Sequence, residues 1–178
     1  QSEEYQGEAL ENYNIKPGVM MASYIMQDKL AENDVKALVM EDNLVDYMNL
    51  NNMSYNKSYQ AARNLITETI QNTPTLKLII DLHRDALSKD KSTTIINNKS
   101  CAKIIFVIGK ENSNYQSNLD MTNKINDKIK AKYPELTRGV IGKEGSGNNG
   151  IYNQDLSPKM TLLEIGGQEN TIDEVLNT

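Results

Sequence analysis

The chain has 178 residues and a mass of 20.0 kDa, a length that suits one domain with a core of its own. Hydrophobic residues make up 38% and charged residues 24%, which excludes a disordered chain, and no apolar run approaches the roughly 20 residues that span a bilayer. Nineteen Lys plus Arg against 24 Asp plus Glu leave a net charge of −5 at pH 7, so a nucleic-acid partner, which needs clustered positive charge, is not expected.

Pro17 suits the first turn of a helix, and Val19, Ala22, Met26 and Leu30 follow at helical spacing until Asn33 and Asp34. Val35 to Met40 is a short apolar run with β-branched Val35 and Val39 and reads as a buried strand. Tyr59, Ala62, Ile66 and Ile70 predict a second helix within Ser54 to Asn72, stopped by Pro74. Leu76 to Leu82 reads as a strand whose carboxyl end carries the ionisable run Asp81-Leu82-His83-Arg84-Asp85, at the edge where ligands of open α/β sheets bind. Thr93 to Ile96 is a short strand, Asn97-Asn98 suggests a hairpin, and Ala102 to Ile108 is a strand rich in Ile, Val and Phe. A third helix follows through Leu119, Thr122, Ile125 and Ile129, then a short strand from Arg138 to Ile141 and a polar, Gly-rich loop from Gly142 to Ser157. Lys159 to Ile165 is a buried strand with one carboxylate, Glu164, and a last helix starts at Thr171. The expected fold is α/β: one compact domain over residues 1–178, with a mostly parallel central sheet covered by helices.

Few residues are equipped for chemistry. Cys101 is the single cysteine, so an intrachain disulfide and a Cys-rich metal cluster are excluded. His83 is the single histidine, so any imidazole chemistry of this chain passes through it. Gly145 to Gly150 spells G-x-G-x-x-G, but no amphipathic helix follows, and the plain reading is a flexible loop. His83-Arg84-Asp85 copies the start of a kinase catalytic loop without the D-F-G or Gly-rich partners, and no G-x-S-x-G elbow offers a serine nucleophile. His83 could serve as a zinc ligand or as a structural imidazole satisfied by neighbouring Asp residues. Glu164, inside an apolar strand, pays for desolvation unless it is paired or poised at an opening; it reads as a general acid or base, or as a strand-end Glu facing solvent. Glu3-Glu4 by itself reads as a solvated terminus.

Four blocks taken together are more specific: Leu78 to Asp85, Phe106 to Asn112, Gly147 to Pro158 and Leu163 to Gly167. In this order they resemble the stage II sporulation protein P family. The resemblance implies a zinc-dependent peptidoglycan hydrolase, similar to N-acetylmuramoyl-L-alanine amidases, that also cuts stem-peptide cross-links and acts during engulfment in sporulating bacteria. It implies a zinc ligand at His83, a catalytic Glu164, and a second metal ligand at Glu4, which falls on the glutamate of an H-T-x-x-x-E-type segment. Arg84 and Asn149 lie in matched blocks and are expected to help position glycan or stem peptide. The implied partner is a lytic transglycosylase of the stage II sporulation protein D type, and the implied location is outside the cytoplasm, anchored to the membrane through an upstream segment. The chain begins at Gln1 without a targeting pattern and reads as a processed piece; the family's first histidine would precede Gln1, so this chain alone is expected to bind zinc poorly. The alternatives are a metallopeptidase that cuts only the cross-link and a non-catalytic wall-binding or partner-docking module.

Overall fold

A computed structural model describes residues 18–178. The central sheet is built from β1 (Ile79–Asp85), β4 (Ile104–Gly109), β5 (Thr137–Lys143) and β6 (Met160–Gly167), in the order β1-β6-β4-β5. β1 runs parallel to β6 and β4 parallel to β5, while β4 and β6 meet antiparallel. The sheet is therefore mostly parallel, as expected, with one antiparallel seam at its centre. The seam has a local cause: between β1 and β4 the chain holds only the one-turn helix α4 (Lys89–Ser92) and a hairpin of β2 (Thr93–Ile96) and β3 (Lys99–Ala102). No helix long enough for a crossover intervenes, so β4 starts at the edge where β1 finished and must run the other way.

The hairpin forms at the expected place. Ile96 pairs with Lys99 across Asn97 and Asn98, whose φ values of 51° and 61° are what a tight two-residue turn requires and what Asn tolerates best. One face of the sheet carries the main core. Ile104 and Phe106 of β4, Leu163 and Ile165 of β6 and the half-buried Ile80 and Leu82 of β1 pack against Ala22 of α1 (Val19–Ala31), Ile125 and Ile129 of α5 (Tyr115–Lys132) and Val175 of α6 (Ile172–Leu176). Each fully buried side chain of this kind contributes about 1.5–3 kcal/mol. On the other face Val107 and Leu162 pack under Tyr152 and under Tyr59 of α3 (Ser58–Asn72), so helices cover both sides.

Two readings need correction. Val35 to Met40 forms no ladder among the described residues; it runs without helix, turn or strand, and Leu38 is 63% exposed. Apolar content alone selects no partner strand, and this run finds none among the described residues. Residues Leu44–Leu50, which the pattern does not announce, form the short helix α2, started by the Asn43 side chain accepting from the Val45 and Asp46 N–H groups (3.0 and 3.2 Å). The strand read as Ala102 to Ile108 is broken at Lys103, whose N–H turns away to the Ser92 carbonyl (2.7 Å). Pro17, Glu3 and Glu4 lie outside the described residues.

Candidate functional site

Side-chain alternation along β1 sends Asp81, His83 and Asp85 to the face opposite the main core. His83 and Glu164 are direct partners in the parallel register of β1 and β6, so their backbones lie one strand spacing apart, about 4.8 Å, with both side chains on that face. The sequence-predicted imidazole and carboxylate are thus brought together. His83 Nε2 donates to Asp81 Oδ1 at 2.9 Å, which fixes the ring and leaves Nδ1 as its acceptor nitrogen. Just beyond His83 the ladder shifts register, Asp85 pairing with Gly167, and Gly166 takes φ 62°. Asp85 receives Arg138, which reaches in from β5, and its other oxygen accepts the Ala86 N–H (2.7 Å).

The charges set the proton affinities. Burial raises the pKa of Glu164, and the negative charge of Asp85 raises it further, while His83 and Arg138 pull the other way without cancelling the rise. For His83, burial disfavours the charged ring, but the hydrogen bond and charge of Asp81 and the charge of Glu164 outweigh it, so its pKa lies above the ordinary value. The phenol of Tyr59 is pushed up to about 12 by burial and by the charge of Asp81, with smaller contributions from Tyr152 and Glu164. Its ring meets that of Tyr152 edge-on, centroids 5.8 Å apart. The face therefore offers an imidazole, three carboxylates, one guanidinium and two phenols.

The loop before β6 is held by its own polar side chains. Asn149 Oδ1 accepts from the N–H groups of Ile151 (3.2 Å) and Tyr152 (2.5 Å), and Asn153 Nδ2 donates to the Tyr59 carbonyl (2.9 Å). Gln154, fully buried, accepts from the Gly109 N–H and donates to the Val107 carbonyl, both at 2.9 Å, clamping the end of β4. Asp155 forms a bidentate pair with Arg63 of α3 at 2.8 and 2.7 Å. These ties hold Tyr152 and Asn153 in successive left-handed conformations, φ 52° and 56°, a strained arrangement that lays Tyr152 over the site face.

Asn149 is thus exposed and acts in the loop as a turn former. Arg84 leaves β1 on the face opposite His83 and donates to the Asn170 carbonyl (3.1 Å). Asp81, Asp85, Arg138 and the two tyrosines were not singled out from the sequence as site residues. The i, i+2, i+4 spacing of Asp81, His83 and Asp85 on a predicted strand was a usable signal, but nothing local announced Arg138, which arrives from the far edge of the sheet.

A nitrogen donor with carboxylates is the right kind of ligand set for zinc. Its number falls short: among the described residues no group of three or more His, Cys, Asp or Glu side chains is arranged to hold a metal ion. A full set needs a donor from outside residues 18–178.

Among the described residues no helix is long and apolar enough to cross a membrane. No solved structure matches the chain. It is 32% identical over 160 residues to Stage II sporulation protein P of Bacillus subtilis (strain 168), a match covering 90% of this chain and 40% of that protein. The chain thus spans less than half the length of that relative. The whole of it, residues 1–178, matches the family described as Stage II sporulation protein P, with the four sequence blocks falling on β1, β4, the Tyr152 loop and β6: the chain belongs to the Stage II sporulation protein P family.

Proposed function

We propose that the chain is the hydrolytic domain of a peptidoglycan hydrolase of sporulating cells, cutting the N-acetylmuramoyl-L-alanine amide and also stem-peptide cross-links. The observation that supports this reading is the pairing of His83 with Glu164 across two parallel strands, in a polar patch on a sheet face that is otherwise apolar. Zinc, held by His83 and Glu4 with a further donor from outside the described residues, would polarise the scissile carbonyl and acidify water. The chain's own residues do the rest. Glu164, with its raised proton affinity, takes a proton from the attacking water and passes it to the leaving amide nitrogen. Asp81 fixes the plane and tautomer of His83, and Arg138 balances Asp85 so that two carboxylates can stand side by side. Asn149 belongs to the proposal as a residue that helps position glycan or stem peptide through the loop it shapes, whereas Arg84, on the opposite face of β1, acts only indirectly by holding the Asn170 carbonyl. A membrane-anchored location outside the cytoplasm and cooperation with a lytic transglycosylase of the stage II sporulation protein D type complete it.

Replacing Glu164 with Gln keeps shape and removes the proton carrier. Release of peptides from purified peptidoglycan should fall by about 10²–10⁴-fold with the folded spectrum unchanged. A Glu164→Gln variant that digests wall at the normal rate, or a wild-type protein that sediments with wall and releases nothing, would favour a binding module instead.

A further inference from the structure

The guanidinium of the site comes from the farthest strand. Arg138 stands on β5, and its Nη2 donates to Asp85 on β1, so the side chain lies across the site face over β4 and β6. A bulge aims it there. Between the pairs Ile104 with Thr137 and Phe106 with Val140, β5 sets Arg138 and Gly139 against the single residue Ile105. Gly139 takes φ 98°, and a Cβ at this position would meet nothing within 4 Å, so the glycine serves the backbone conformation and not the packing. Ile105 is the register partner of Glu164, itself the partner of His83, and the Arg138 charge is felt by Glu164.

Only part of this guanidinium is used. Among the described residues Nη2 alone has a hydrogen-bond partner; Nε is sealed from solvent without one. The second oxygen of Asp85 is taken by the Ala86 N–H, which leaves the ion pair monodentate. Balancing the charge of Asp85 asks for a cation and not for a fork, whereas a guanidinium with uncommitted donors in its plane is suited to grip a planar carboxylate. The Arg138 side chain keeps 19% of its surface exposed, so a ligand can reach it.

We infer that Arg138 is a specificity residue, whose uncommitted donors receive a carboxylate of the stem peptide two residues from the scissile amide. The inference rests on the peptidoglycan reading above and adds the part of the substrate that the site selects. Spacing chooses the carboxylate. Asp85 follows His83 by two residues on β1, about 7 Å along the strand, and an extended peptide advances about 3.3–3.6 Å per residue. With the amide between muramic acid and L-Ala held at His83 and Glu164, the group that comes to Arg138 is the second stem residue. That residue is a glutamate linked through its γ-carboxyl, which leaves its α-carboxylate free. Without Arg138 this anion would meet the carboxylates of Asp85 and Glu164 directly.

Two synthetic N-acetylmuramoyl peptides that differ only in this α-carboxyl, free or amidated, test the inference. Each is titrated calorimetrically into the natural polypeptide carrying Glu164→Gln, and turnover of both is followed with Glu164 intact. The free acid should bind about 10–100-fold more tightly than the amide, and turnover should show the difference in KM and not in kcat. Arg138→Lys keeps the charge and loses the fork; it should cut the preference to about 3-fold or less while leaving the affinity for the amide unchanged. Arg138→Gln should abolish the preference as well and serves where Lys does not fold. Equal binding of the two peptides, which needs no Arg138 variant to measure, would overturn the inference. So would a preference that survives both substitutions, or an equal loss for both peptides, the mark of a purely structural role. A preference that Arg138→Lys abolishes, in a protein that releases no product with Glu164 intact, would uphold Arg138 and remove the hydrolase reading instead.

Discussion

His83 is the one imidazole in the chain, so its titration can be read without overlap. Its pKa is raised in the folded protein, so the stability it contributes is fully present below the unfolded value, about 6.5, and is lost as pH rises through the folded value. Asp81→Ala removes the hydrogen bond and charge that outweigh burial, and the His83 midpoint followed by NMR should move down; an unchanged midpoint would mean that Asp81 does not hold the ring. The imidazole and Glu164 were both legible in the sequence, because a lone histidine at a strand end and a carboxylate within an apolar strand stand out from their surroundings. Arg138 was not, because its partner Asp85 is brought to it only by the order of strands in the sheet.

At the scale of elements, the loop from Asn149 to Asp155 is the part whose letters say most and whose meaning only the fold reveals. Read alone it is polar and Gly-rich; in place, each polar side chain closes a particular bond. Gln154→Ala would leave the buried Val107 carbonyl and Gly109 N–H unpaired, and urea unfolding should show a loss of about 2–4 kcal/mol. Asn149→Ala is milder, about 1 kcal/mol, and should reduce wall digestion by loosening Tyr152; digestion at the full rate would remove Asn149 from the site. Strands with a partner, such as β4 and β6, were readable from apolar runs. Val35 to Met40 has the same signal and no ladder among the described residues, since pairing is a property of two segments.

The whole molecule is closed at the hairpin end by a buried carboxylate. Glu174 accepts from the Thr171 N–H (2.8 Å), Asn170 Nδ2 (3.1 Å) and Ser100 Oγ (2.9 Å) and pairs with Lys89 (3.1 Å), joining α6, the β2–β3 hairpin and α4. Burial pushes its pKa up, but these donors outweigh burial and hold it at about 2. Because the folded value is depressed, its stabilisation is present above about pH 4.3 and is lost as the pH falls toward 2. Glu174→Ala should cost about 2–4 kcal/mol near neutral pH, with the gap from wild type closing across that acid window. Mostly parallel architecture followed from the alternation of strands and helices; the antiparallel seam did not, because it depends on a hairpin occupying the place of a crossover.

The most direct measurement is mass spectrometry of the soluble products released from purified peptidoglycan by the natural polypeptide, with and without chelator and beside its Glu164→Gln variant. Free stem peptides beginning with L-Ala, lost on chelation and nearly absent with the variant, are the expected result. Intact wall after incubation with folded, zinc-loaded protein, or equal release by the variant, would contradict a hydrolase centred on His83 and Glu164.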